Sequence, residues 1–376
     1  MCTAATHRLA SDQAPPSNAA AVSSTYRPGL DIVRFAAAIW VMLSHAHAAE
    51  GGGQAVAVFF VLSGYLIGGQ LFREKCNKGT IELSTFYFKR ITRIWLPYYI
   101  VLALMLAIFI ARGQNSGVDF YERTFGAVTY TYNLVNDVKG NVHPTWISFN
   151  QIWSLSIEEQ FYLLAPLMIL ILPVQVLRPA CVALAVVLLF YLPLYAGMVV
   201  GVVLGISLSS DWHHKLVRQR SWAYGFAATS VFLLLYVLCQ FSLLDGRHWL
   251  TYLLAAAIIV AAEGIETTEK SHSWLRYLGI MTYSYYLIHG LPVYFFGALY
   301  RRVFSDTSVP VWLQVILGLL ALPVSYFFVR LIEEPCLRQR ARALKVESPW
   351  ISRSPWIAWG LNGIGIVGLI VIAMRR

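Results

Sequence analysis

The chain has 376 residues, 58% of them hydrophobic and 13% charged, with a mean hydropathy of +0.60. A soluble domain carries roughly 25% charged residues, so this composition excludes an ordinary soluble fold and indicates an all-α polytopic membrane protein. The net charge of +10 falls in clusters between apolar runs, a pattern set by membrane topology rather than by a nucleic-acid partner, and none is expected.

Residues 1–28 are rich in Ala, Ser, Thr and Pro and hold no apolar run. They read as a disordered cytoplasmic tail rather than a cleavable signal. Stretches long enough to span a bilayer follow at 30–49, 54–72, 94–112, 155–173, 221–241, 248–263, 274–298, 311–331 and 356–374. The run 180–208 is too long for one upright helix and contains Pro193, so it is read as two short spans, giving eleven in total. With a cytoplasmic N-terminus, the basic loops 73–93, 209–220 (Lys215, Arg218, Arg220) and 332–355 all face inside. The long 113–152 loop faces outside with only Arg123 and Lys139, as the positive-inside rule requires. Arg301–Arg302 and Arg375–Arg376 go against that rule.

The first span carries the first chemical signal. Arg34 and His45 are eleven residues apart, so they share one helix face across a rise of about 16 Å. Asp31 lies one turn before Arg34 and can pair with it. A neutral imidazole is the usual general base near neutral pH; the bland alternative is a snorkelling Arg with an interfacial His. His45 and His47 point to different helix faces, and the five cysteines show no ligand spacing, so no metal is expected. In the second span, "FFVLSGYLIG" contains Ser63 and Tyr65, and Ser63–Gly64 would permit close helix approach as readily as it would serve chemistry.

Arg90 and Arg93, three apart at the start of the third span, form a candidate phosphate clamp, although topology also accounts for basic residues there. The stretch "QIWSLSIEEQFYLLAPL" offers Trp153, Ser154, Glu158 and Glu159. Ser154, Glu158 and Tyr162 fall four apart on one face, where a carboxylate would orient His45 or bind sugar hydroxyls; a solvated helix start is the bland reading. The ninth span ends in "YSYYLIHG", which brings His289 towards the cavity expected beside His45. Pro335 in "IEEP" is an ordinary helix boundary.

Taken together, "LDIVRF", "SHAHA", "VFFVLSGYLIG", "FKRITRIWLPYY", "WSLSIEEQFYLLAPL", "YSYYLIHG" and "IEEP" resemble, in order from about 30 to 335, the integral-membrane acyltransferase family 3 of O-antigen and exopolysaccharide O-acetyltransferases. The resemblance implies a ten-helix acyltransferase core over 29–335. Residues 336–376 then form a basic cytoplasmic segment and an added eleventh transmembrane helix. It implies transfer of an acyl group, chiefly acetyl from cytoplasmic acetyl-CoA, to a hydroxyl of an extracytoplasmic or lipid-linked glycan at the bacterial inner membrane. By the same resemblance His45 is the essential histidine, Arg34 the motif arginine, Glu158 the motif glutamate, and Arg90 with Arg93 the acyl-CoA pair. The run "QAVAVFF" departs from the Gly-Val-Asp common in the family. The rival function is a polytopic transporter or flippase for a glycan or anionic substrate. The lack of a visible internal repeat weighs against it.

Overall fold

Inside hydrocarbon a backbone must satisfy its own hydrogen bonds, so apolar runs of this length become helices. The computed structural model describes residues 26–140, 149–209, 221–304 and 308–374, and every regular element among them is helical. Residues 1–25 of the expected tail, the Lys215, Arg218 and Arg220 cluster, and Arg375–Arg376 lie outside the described residues. In chain order the helices are α1 (Pro28–His45), α2 (Gly52–Lys78), α3 (Leu83–Ala111), α4 (Val118–Val128), α5 (Tyr132–Lys139), α6 (Ile152–Ile171) and α7 (Val174–Tyr191). There follow α8 (Pro193–Ser207), α9 (Ser221–Gln240), α10 (His248–Glu263), α11 (Glu269–Ile288), α12 (Gly290–Phe304), α13 (Val311–Lys345) and α14 (Pro349–Met374).

Seven of these, α2, α3, α6, α7, α9, α13 and α14, are long and apolar enough to cross a membrane, and α8 and α10 are shorter apolar helices. Phe190 is 81% exposed, Phe226 75% and Ile171 74%; such a belt of bare apolar side chains fits hydrocarbon, not water. Ten of the eleven expected spans each fall on one helix, and the 180–208 run does split at Pro193. The ninth differs. It stops at Ile288, and α12 begins at Gly290. Pro292 has no N–H to offer the Ile288 carbonyl four residues back, so the hydrogen bond that would tie the two helices into one at this point is missing.

Three features hold the site's scaffold. Helices α2 and α8 cross almost backbone to backbone: a Cβ on Gly64 would lie 1.9 Å from the Met198 carbonyl oxygen, and one on Gly201 2.1 Å from that of Val61. Gly68 and Gly205, one turn further along each helix, continue the contact, the spacing by which membrane helices approach closely. At the far end of α2, the Lys75 ammonium donates to the carbonyls of Ile169 (2.8 Å), Leu170 (3.0 Å) and Leu172 (2.5 Å), capping the end of α6. Finally, α3 and α13 each contain a π turn, Ile91–Trp95 and Val329–Glu333. The two helices meet there, with Cys336 Sγ 3.2 Å from the Thr92 carbonyl and Arg340 Nη1 3.4 Å from that of Lys89.

Candidate active site

Helix α1 ends at His45, and the chain reverses through His47 (φ 56°) and Gly51 (φ 89°) into α2. Only a residue without Cβ fits at Gly51, where a Cβ would lie 2.7 Å from the Trp40 ring in a left-handed backbone. Trp40 Nε1 donates to the Glu50 carbonyl at 2.7 Å and pins the turn. Beside this turn is a cavity of about 340 Å³, with His45, Gln54, Gln151, Trp153, Asp245 and Tyr286 in its wall. Trp153 is set by an edge-on contact with Phe60, centroids 6.2 Å apart.

His45 is exposed, whereas His289 is 2% exposed. His45 Nδ1 and His289 Nε2 are 2.7 Å apart, and the rings lie within 9° of parallel with centroids 5.0 Å apart. His289 Nδ1 is 2.8 Å from the Tyr286 carbonyl oxygen. Ser154 Oγ donates to the Gln151 carbonyl at 2.8 Å and pairs with the Tyr286 hydroxyl at 2.7 Å. His289 therefore meets His45 from behind and is not in the cavity wall where it was expected, and the partner foreseen for His45, Glu158, is not beside it. Glu158 instead accepts from Ser63 Oγ at 2.5 Å and from the Tyr162 hydroxyl. Its neighbour Glu159, 5% exposed, accepts from Trp95 Nε1 at 2.8 Å.

The other end of α1 is basic. Arg34 pairs with Asp31 at 2.6 Å. The Arg90 guanidinium lies over the Tyr162 ring at 5.2 Å and the Phe86 ring at 5.5 Å, and its Nε is buried with no hydrogen-bond partner among the described residues. Arg93 is exposed within the π turn and acts electrostatically on Arg34, Arg90 and Arg340. Four guanidiniums thus gather around the Arg-x-x-Arg turn. Arg340 was not foreseen as a site residue; its only sequence signal is membership of a basic cluster. Tyr65 belongs elsewhere, with Arg27 at 2.6 Å and with Glu263. Glu263, a lone acid in the last turn of an apolar span, was likewise passed over. Among the described residues no group of three His, Cys, Asp or Glu could hold a metal ion.

The acyltransferase domain family matches residues 27–330. The chain belongs to that family. The curated "Putative O-acetyltransferase SAR0937" of Staphylococcus aureus (strain MRSA252) is 26% identical over 366 residues, which cover 87% of this chain and 60% of that protein. "O-acetyltransferase OatA" of Staphylococcus aureus (strain NCTC 8325 / PS 47) is 33% identical over 157 residues, 39% of this chain and 25% of that one. The chain thus spans about 60% of the length of the first relative. No solved structure matches it significantly. The acyltransferase match takes in both ends of α1 and stops at Arg330, in the second π turn, so Arg340 lies beyond it.

Proposed function

We propose that the protein is a membrane O-acyltransferase, moving an acyl group, acetyl foremost, from cytoplasmic acyl-CoA to a hydroxyl of an extracytoplasmic or lipid-linked glycan. In this reading the N-terminus is cytoplasmic, the membrane is the bacterial inner membrane, and the His45 cavity opens outward. The observation that carries it is the placement of an exposed imidazole on a cavity at one end of α1, with the arginine cluster at the other.

Acyl-CoA is cytoplasmic and polyanionic, so its phosphates suit Arg90, Arg93 and Arg340, with Arg34 next in line. Planar guanidiniums hold phosphate oxygens in pairs. His45 takes the proton of the acceptor hydroxyl while its oxygen bonds to the thioester carbonyl carbon. The carbon–sulfur bond then breaks, and the thiolate leaves with the proton that His45 held. Trp153 supplies a flat apolar wall for a sugar ring. Glu158, with Ser63 and Tyr162, sets the aromatic face beneath Arg90 and so positions the donor site. Asp31 positions Arg34. Tyr65, Ser154 and Glu159 tie helices together.

The test follows the melting temperature in detergent with rising acetyl-CoA, for wild type and Arg90→Ala/Arg93→Ala. At 100 times its Kd a ligand stabilises the folded state by about 2.7 kcal/mol. A saturable rise in wild type that the double variant lacks supports the donor site. A flat response in well-folded wild type sinks it and advances the transporter.

A further inference from the structure

Burial, hydrogen-bond polarity and ring geometry around His45 go further than naming a base. A carbonyl oxygen can only accept, so the 2.8 Å contact at Tyr286 requires the proton to sit on His289 Nδ1. A neutral imidazole carries one N–H, so His289 Nε2 is then a bare acceptor. The atom 2.7 Å from it, His45 Nδ1, must donate. The lone pair of His45 is thereby left on Nε2, which has no hydrogen-bond partner among the described residues. A 2.7 Å N···N contact with centroids at 5.0 Å and planes within 9° describes rings meeting edge to edge in one plane. That alignment directs an N–H at a lone pair; face-to-face stacking would not. A doubly protonated His289 is disfavoured, since it is 2% exposed and no carboxylate is bonded to it.

The end of the chain of donors is built into the fold. The last four carbonyls of a helix lack intrahelical partners, and α11 ends at Ile288. The His289 ring caps the Tyr286 carbonyl, and Gln151 Nε2 caps that of Leu287 at 3.2 Å. The His289 N–H bonds back to the Tyr285 carbonyl at 2.9 Å, so ring and backbone are both tied at the break.

We propose that His289 is a positioning residue that fixes His45 in the tautomer with a bare Nε2 towards the cavity. The proton order is set by the Tyr286 carbonyl rather than by a carboxylate. Its chemical consequence rests on the acyltransferase reading. When Nε2 takes the acceptor proton, His45 becomes an imidazolium whose Nδ1–H points at a lone pair, so the new charge is shared with His289. Glu158, already bonded to Ser63 and Tyr162, is not needed for this.

The test joins a readout of the proton with one of turnover. ¹⁵N NMR of histidine-labelled protein in lipid is recorded for wild type, His45→Asn, His289→Gln and His289→Phe. CoA release is measured in vesicles given acetyl-CoA and a bacterial cell-envelope glycan extract. The signals removed by His45→Asn are expected to be those of a ring protonated on Nδ1. His289→Phe should shift that ring away from this tautomer and lower kcat at least ~100-fold, with KM for acetyl-CoA unchanged. His289→Gln, whose amide offers an acceptor and a donor in the same sense, should keep the tautomer and stay within about 10-fold of wild type. An Nε2-protonated His45 in wild type, or a tautomer that His289→Phe leaves unaltered, overturns the proposal. If His289→Phe fails to fold, His289→Leu replaces it, and a tautomer that this variant leaves unaltered overturns the proposal equally. The expected tautomer without CoA release from wild type would leave the histidine pair standing and remove the acyltransferase reading instead.

Discussion

The two nitrogens of His45 face different worlds: Nδ1 is committed to the buried His289, and the exposed side of the ring meets the cavity. Replacing it with alanine removes little core volume. His45→Ala should therefore lower acyl transfer by about 10²–10⁴-fold, the share a general base supplies, while the buried His289 Nε2 left without its donor lowers stability by no more than about 1–3 kcal/mol. A variant that melts early but turns over normally per folded molecule would make the residue structural. His45 and Arg34 stood out in the sequence because titratable groups inside an apolar run are costly to bury. The histidine pairing was harder to see, since its partners are 244 residues apart. The four-residue spacing announced Tyr162 beside Glu158, but nothing local announced Ser63, 95 positions away. Glu158→Ala would leave both hydroxyls without their acceptor, a cost of about 1–3 kcal/mol, and Glu158→Gln should restore much of it. Thermal unfolding in one detergent reads the difference.

Among the elements, the crossing of α2 and α8 is the tightest contact described. Gly64 has the Met198 backbone against it, and Gly201 that of Val61. Gly64→Val must push two helices apart, so it should lower the melting temperature and the folded yield, consistent with the roughly 1–3 kcal/mol of overpacking. Unchanged yield and melting would refute so close an approach. "SGYLIG" signalled that some helix could come near, but which one depends on glycines at 201 and 205 that only the tertiary fold brings opposite. The π turn at Ile91–Trp95 left no trace in the sequence pattern, because one extra residue in a helical turn changes neither composition nor hydropathy. Deleting Ile91 should let the turn relax to α-helix and rotate Arg90 by about 100° relative to Arg93. The acetyl-CoA-dependent rise in melting temperature should vanish while the protein without ligand still folds. Retention of that rise would show that the arginines need no fixed register.

For the whole molecule, the apolar runs were enough to locate every helix that carries site residues. What they concealed was the interruption after Ile288, where hydropathy continues but the helix does not. That interruption matters because it frees the carbonyls that His289 and Gln151 cap. The proposed orientation makes a claim about sidedness. In a cysteine-free background, a single cysteine at Asp245, in the wall of the His45 cavity, should react with an impermeant maleimide in right-side-out vesicles. A cysteine at Lys345, at the end of the helix that carries Arg340, should react only in inverted ones. Labelling of both from one side would rule out a donor and an acceptor meeting from opposite faces.

Because Arg34 and His45 ride on one unbroken helix, the distance between them is a fixed length rather than an adjustable gap. Eleven residues set it at about 16 Å. A donor gripped by its phosphates at the arginine end can deliver only what its own arm carries that far. On the proposed reading α1 is a ruler. It selects thioesters by reach, so a short acetyl thiol lacking the nucleotide would be a poor donor even with the same acyl group.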